Sequence, residues 1–391
     1  MVGKLFGQPI MTYYVLGCTL PISLVVGALA DISLIVLVRT YALLVSLAVF
    51  LGLFGLLASM LTEKSVNSQV AGLFGLIPIG IGMAFVNGHF PGLAALSIIP
   101  AITSLYEAHE GSPYLSPPLF GIPASFPTLT VVLYGAFGAW IVVMLRRNIK
   151  RDVEEISLLS RWQALGFAAF LNLLFYAFLD ARRLSADVPG LLVGLNIPVL
   201  YMIGLTTLTP HERLKVWWRQ SALGQTSYLS DDGLPWPWMV LAAVLAYAFL
   251  VVGGVLFRNS LPIEGWQFGT WVGPLLSFLI FSMRDILFLQ WCKLTAMKQP
   301  VAAGVLYLAL YYAAASILVA VAGLGSLGAG HWVSSLLTPF GAFSTGSEWW
   351  SGLFEGAVGM ALQMMVIGVL LNAIRRRLQQ SAKVHQGTTA V

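Results

Sequence analysis

Glu107, His109 and Glu110, with Glu348 far along the chain, come closest in type and spacing to a reactive site. Carboxylates beside an imidazole can exchange protons with a substrate or ligate a divalent cation. His109-Glu110 is followed by Gly-Ser-Pro and so is no part of an HExxH zinc motif, and His89, His211, His331 and His385 are scattered without ligand spacing. The group therefore reads first as a solvated loop, and second as a polar site on one membrane face. Asp180 and Glu355 lie near the ends of apolar runs, where water reaches them. No GxSxG nucleophile elbow and no GxxxxGK[ST] loop occurs, so the chain has no P-loop to cradle nucleotide phosphates. Cys18 and Cys292 are far apart, without CxxC or a nearby His, and read as packing residues. Catalysis by these residues is not the expectation; contacts are.

The elements that would position such contacts are apolar. Of 391 residues, 58% are hydrophobic and 9% charged, against roughly 25% charged in a soluble domain. The expected fold class is an all-α polytopic membrane protein with about ten transmembrane helices plus interfacial and re-entrant helices. Runs of about twenty apolar residues fall at Tyr13–Ala30, Tyr41–Leu61, Val70–Asn87, Leu129–Leu145, Trp162–Leu179, Pro189–Leu205, Trp238–Phe257, Trp266–Met283, Val301–Ala322 and Ser351–Leu371. The first ten residues lack the h-region and cleavage site of a removable signal, so the first span is expected to be retained. The net charge of +5 comes from short basic clusters at span ends, which fits topology and no nucleic-acid partner.

Orientation rests on Arg146–Arg161. No Lys or Arg lies between Lys64 and Arg146, so the cluster of Arg146, Arg147, Lys150 and Arg151 dominates the positive-inside count. Placing it in the cytoplasm also puts Lys64, Arg213–Arg219, Lys293–Lys298 and Arg375–Arg377 inside, with a cytoplasmic C-terminus. Arg182 and Arg183 are the exception, and Arg39 and Arg258 are lone outside cations.

Several pieces do not read as spans. Pro91–Leu105 is apolar but short, which predicts a re-entrant or interfacial segment. Thr209-Pro210-His211-Glu212 has the pattern of a capping box with Pro at the first helical position, opening an amphipathic surface helix through Arg219. Arg284 and Asp285 are expected at a cytoplasmic boundary, with the eighth span ending at Met283, because a mid-bilayer charge costs at least about 2.5 kcal/mol; the rival arrangement buries the pair.

The spans have a repeating order. Residues 147–384 form a six-span unit, residues 1–146 a four-span unit matching the end of that order, and residues 385–391 a flexible tail. Leu61-Thr62 and Val70-Ala71-Gly72-Leu73 can be set beside Leu294-Thr295 and Val301-Ala302-Ala303-Gly304. The rhythm suits two parallel repeats about an axis along the membrane normal.

With LTPHERLKVWW and RNIKRDVEEISLLSRWQALGFAAFLN, this order resembles the bacterial ABC-2 type permeases, the membrane half of ABC exporters. Residues Arg146–Ala382 match the whole order and Met1–Leu145 its last two-thirds. The departure is a first unit without a surface helix and two spans, which the resemblance places upstream of Met1, in another subunit, or nowhere, in a reduced form. The resemblance implies a non-enzymatic permease in the inner membrane. A separate ABC ATPase subunit would bind ATP and Mg, and the lipid bilayer and further membrane subunits would be its other partners. It implies coupling contacts at Thr209, Glu212, Arg213, Lys215 and Arg219, and at Arg146, Arg147, Lys150, Arg151, Asp152, Glu154 and Glu155. An integral-membrane transferase acting on a lipid-linked substrate, or a structural subunit of a membrane complex, are the alternatives.

Overall fold

The computed structural model describes residues 10–61, 91–106, 118–120, 122–149, 159–179, 188–225, 229–230, 232–256, 268–295, 300–325, 336–338 and 349–388. It divides into two compact units, Met1–Glu154 with Leu173–Ser185, and Glu155–Asn172 with Ala186–Val391. The protein is a helical, multi-pass membrane protein. Among the described residues six helical stretches are long and apolar enough to cross a bilayer: Leu34–Leu57, Phe126–Arg147, Trp236–Gly253, Gly273–Lys293, Pro300–Val321 and Ala357–Gln380. A bent pair, Leu191–Thr206 with His211–Ser221, would make a seventh among the described residues.

In the first unit, α1 (Ile10–Leu29) turns through Asp31, whose φ of 55° the short Asx side chain tolerates, into α2 (Leu34–Leu61). A 3-10 turn at Pro91–Leu96 and the short α3 (Ile98–Tyr106) follow, then a two-residue antiparallel pair, β1 (Pro118–Leu119) and β2 (Ile122–Pro123), and α4 (Phe126–Ile149). α2 and α4 run in the same direction, with Phe50 stacked on Tyr134 at 5.1 Å. The expected re-entrant segment is therefore two short helices broken at Ser97. A break in an apolar setting frees backbone carbonyls, which must find donors. α4 supplies them: Thr130 Oγ1 donates to the Ala95 carbonyl at 2.9 Å and the Tyr134 hydroxyl to that of Leu96 at 3.0 Å.

The second unit contains most of α5 (Arg161–Ala177), then α6 (Val188–Thr206), α7 (His211–Ala222), α8 (Trp236–Leu256), α9 (Phe268–Lys293), α10 (Pro300–Gly325) and α11 (Trp349–Thr388). α9 is its axis. It packs on α6, α8, α10 and α11, and 78% of its apolar window is buried, against at most 44% for the other spans. α5 and α6 are antiparallel and joined by a reciprocal amide pair, Asn172 Nδ2 to Asn196 Oδ1 at 2.8 Å and Asn196 Nδ2 to Asn172 Oδ1 at 2.9 Å.

The ten apolar runs map onto helices wherever they are described; Val70–Asn87 lies outside the described residues. α9 departs from the expected boundary: it runs unbroken past Met283 to Lys293, so Arg284 and Asp285 are buried within a candidate span and not at its end.

Candidate functional site

Four chain segments meet at one end of the second unit: the start of α5, the end of α6, the residues before α8 and the last turns of α9. Arg161 ties the first three. It is 2% exposed, and its guanidinium reaches Thr209 Oγ1 at 2.7 Å and the carbonyls of Ser230 at 2.9 Å, Thr207 at 3.1 Å, Leu234 at 3.3 Å and Gly233. A cation at the carbonyl end of α6 is also favoured by the helix dipole. Gln290 of α9 ties the fourth, donating Nε2 to the Thr209 carbonyl and accepting the Thr209 N–H on Oε1, both at 2.9 Å.

This knot sets the direction of α7, which leaves α6 at 84°. Leu214 and Trp217, three residues apart, are buried, whereas Glu212, Val216, Arg219 and Leu223 face out, so one face holds the helix to the unit and the other is available. Its C-terminus is a Schellman motif: Gly224 has φ +69°, Gln225 N–H donates to the Gln220 carbonyl and Gly224 N–H to that of Ser221, both at 3.0 Å. Burial and the nearby Lys215 hold the His211 imidazole below its usual range, against Glu212, which raises it.

The predicted capping box is not formed. Pro210 occupies the N-cap without a side-chain cap, and the Thr209 hydroxyl donates to the Gly233 carbonyl at 2.8 Å while accepting from Arg161. A charged donor outcompetes a backbone amide for that oxygen. Glu212 pairs with Lys215 at 3.3 Å, and Arg213 approaches Asp232 at 3.6 Å. The reciprocal box lies elsewhere, at the start of α5. Ser160 N–H donates to Gln163 Oε1 at 2.9 Å and Gln163 N–H to Ser160 Oγ at 3.1 Å. Arg146 and Arg147 lie in the last turn of α4, in the first unit. Lys150, Arg151, Asp152, Glu154 and Glu155, like Glu107, His109, Glu110 and Glu348, lie outside the described residues.

A second constellation sits inside the same unit. At a rise of about 1.5 Å per residue, Arg284 is roughly 14 Å along α9 from Lys293 and roughly 16 Å from Gly273, at mid-depth of the span. Its Nε and Nη2 donate to Asp285 Oδ1 at 2.8 and 2.6 Å, Nη1 to Tyr311 at 3.1 Å and Gln363 Oε1 at 2.8 Å, and Nη2 also to Tyr312 at 3.1 Å. All five N–H groups are thereby used. Asp285 Oδ2 accepts from Tyr201 and Tyr312, each at 2.6 Å. Tyr311 and Gln363 pass on hydrogen bonds to the carbonyls of Leu337, at 2.9 Å, and Leu336, at 2.8 Å. A neutral, fully bonded pair escapes most of the cost of a lone intramembrane charge. It also joins α9 to α6, α10 and α11. The sequence carried a signal for it, an Arg-Asp pair in an apolar run with Tyr311-Tyr312 and Gln363 in others, but nothing in the spacing says these meet.

Among the described residues no group of three His, Cys, Asp or Glu side chains is placed to hold a metal ion. No protein-family model, curated protein or solved structure matches the chain.

Proposed function

We propose that the protein is the membrane-spanning subunit of an ABC-2 type exporter, moving its substrate across the inner membrane with ATP hydrolysed by a separate ATPase subunit. One observation carries the reading: α7, a short amphipathic helix folded 84° away from α6 and fixed by Arg161 and Gln290, with Glu212, Val216 and Arg219 turned outward. In this reading the ATPase docks on that outer face and binds ATP and Mg, and the chain supplies contacts only. The ten-span arrangement with paired repeats and a cytoplasmic C-terminus belongs to the same proposal.

The bonding gives the push a route. Four residues link α6 to α7, and this stretch is held to α9 at three levels: Thr209 of the link with Gln290, and in α6 Gly204 under Ile286 and Tyr201 with Asp285. Displacing α7 therefore moves α6 and α9 together. Arg284 hands the displacement to α10 and α11 through Tyr311, Tyr312 and Gln363.

The test is purification of the full chain from its own membranes, followed by measurement of the ATP hydrolysis retained. Glu212→Ala with Arg219→Ala is expected to strip that activity while leaving insertion and yield unchanged. ATP hydrolysis that is absent from the wild-type preparation, or equal in the double variant, contradicts the assignment.

A further inference from the structure

Arg39 has no hydrogen-bonding or ionic partner among the described residues, yet it lines a recess in the first unit. The recess, about 470 Å³, lies between the first turns of α2, the end of α3 and the start of α4. Its polar rim is Arg39 with the hydroxyls of Ser104, Ser125 and Thr128, and its walls include Leu43, Leu105 and Val131. Thr40 Oγ1 and the Tyr106 hydroxyl, 3.3 Å apart, link α2 to α3 beside it.

The lining decides which ligand chemistry fits. Among the described residues the one charge on the lining is positive and no carboxylate contributes, which suits an anion. Among the described residues the lining has no aromatic side chain on which a sugar ring could stack. A phosphate group matches the guanidinium and hydroxyls. Ser125 and Thr128 share one hydrogen bond of 2.7 Å, which leaves one hydroxyl hydrogen of the two to donate. The surroundings then separate a phospholipid from a free anion. Val132 on the rim is 58% exposed, and Ile35 and Val38, on α2 either side of Val36 and Leu37, are 58% and 59% exposed, an apolar margin suited to acyl chains. Arg39 lies roughly 7 Å along α2 from its first residue at about 1.5 Å per residue, the depth at which a long cationic side chain reaches the headgroups.

We propose that this recess is a binding site for an anionic phospholipid, with the phosphate on Arg39 and the acyl chains along Val131 and Val132. Phosphate alone lacks the apolar half of the contact, and phosphatidylcholine carries a cationic headgroup for which the described rim has no acid.

The full-length chain in maltoside detergent is titrated with dioctanoyl phosphatidylglycerol, dioctanoyl phosphatidylcholine and inorganic phosphate, with binding read by native mass spectrometry and thermal stability. The phosphatidylglycerol should bind one per chain and raise the melting temperature, and the other two should not. Arg39→Gln should weaken binding by about tenfold or more, as expected for loss of a charge-assisted contact, with Arg39→Lys retaining most of it. Ala42→Trp, which fills the recess and keeps the cation, should abolish it. Equal binding of phosphatidylcholine, binding of phosphate alone, or retention of phosphatidylglycerol by either Arg39→Gln or Ala42→Trp overturns the site. Because α7 is untouched by these variants, this outcome is independent of ATPase docking.

Discussion

Asp285 is fully buried and accepts every hydrogen bond its geometry allows, from Arg284 on one oxygen and from Tyr201 and Tyr312 on the other. Removing one member of such a pair leaves a charge without its counter-ion, which costs about 3–5 kcal/mol. Asp285→Ala is therefore expected to lower stability by that order in a reversible unfolding assay in detergent. Replacing both members with apolar residues, Arg284→Met with Asp285→Leu, should cost much less than the two single changes added together. The Asn172–Asn196 amide pair calls for a smaller number, because polar pairs in membranes average about 0.6 kcal/mol and reach about 1.7. A double-mutant cycle with leucine at both positions is predicted to return a coupling of about 1 kcal/mol; zero coupling would show that the pair is incidental.

At the scale of elements, α6 and α9 stay together because Gly204 leaves no side chain between them. A β-carbon there would collide with Ile286, standing 2.7 Å from its Cδ1. Gly204→Val is predicted to cost about 1–3 kcal/mol by overpacking, with partial rescue by Ile286→Ala, read as melting temperature. The helices themselves were legible in the sequence, since apolar runs of this length have few other solutions in a bilayer. Their ends and contacts were less so. The span rule priced Arg284 and Asp285 as isolated charges, but Tyr201, Tyr311, Tyr312 and Gln363 come from helices 27 to 84 positions away. Ser160-x-x-Gln163 and Thr209-x-x-Glu212 share one pattern, and only the first forms the box. The second fails because Arg161, 48 positions away, takes the threonine oxygen. Local pattern sets what a side chain can do locally, and a buried charge from elsewhere overrides it.

For the molecule as a whole, the proposed function treats the second unit as a lever, with a surface helix outside, a bonded knot at the span ends, and a charged hub at mid-depth that would carry movement across four helices. Arg161 is the knot's centre, so Arg161→Met is expected to loosen α7 before it unfolds the unit, seen as faster amide exchange over His211–Ala222 with slower-changing protection in α9. The most direct test of ATPase docking on α7 is site-specific photo-crosslinking from position 216, at the middle of its outward face, in intact membranes. The expected result is a covalent adduct with a polypeptide that carries a nucleotide-binding P-loop. Adducts confined to lipid or to another copy of this chain would contradict it.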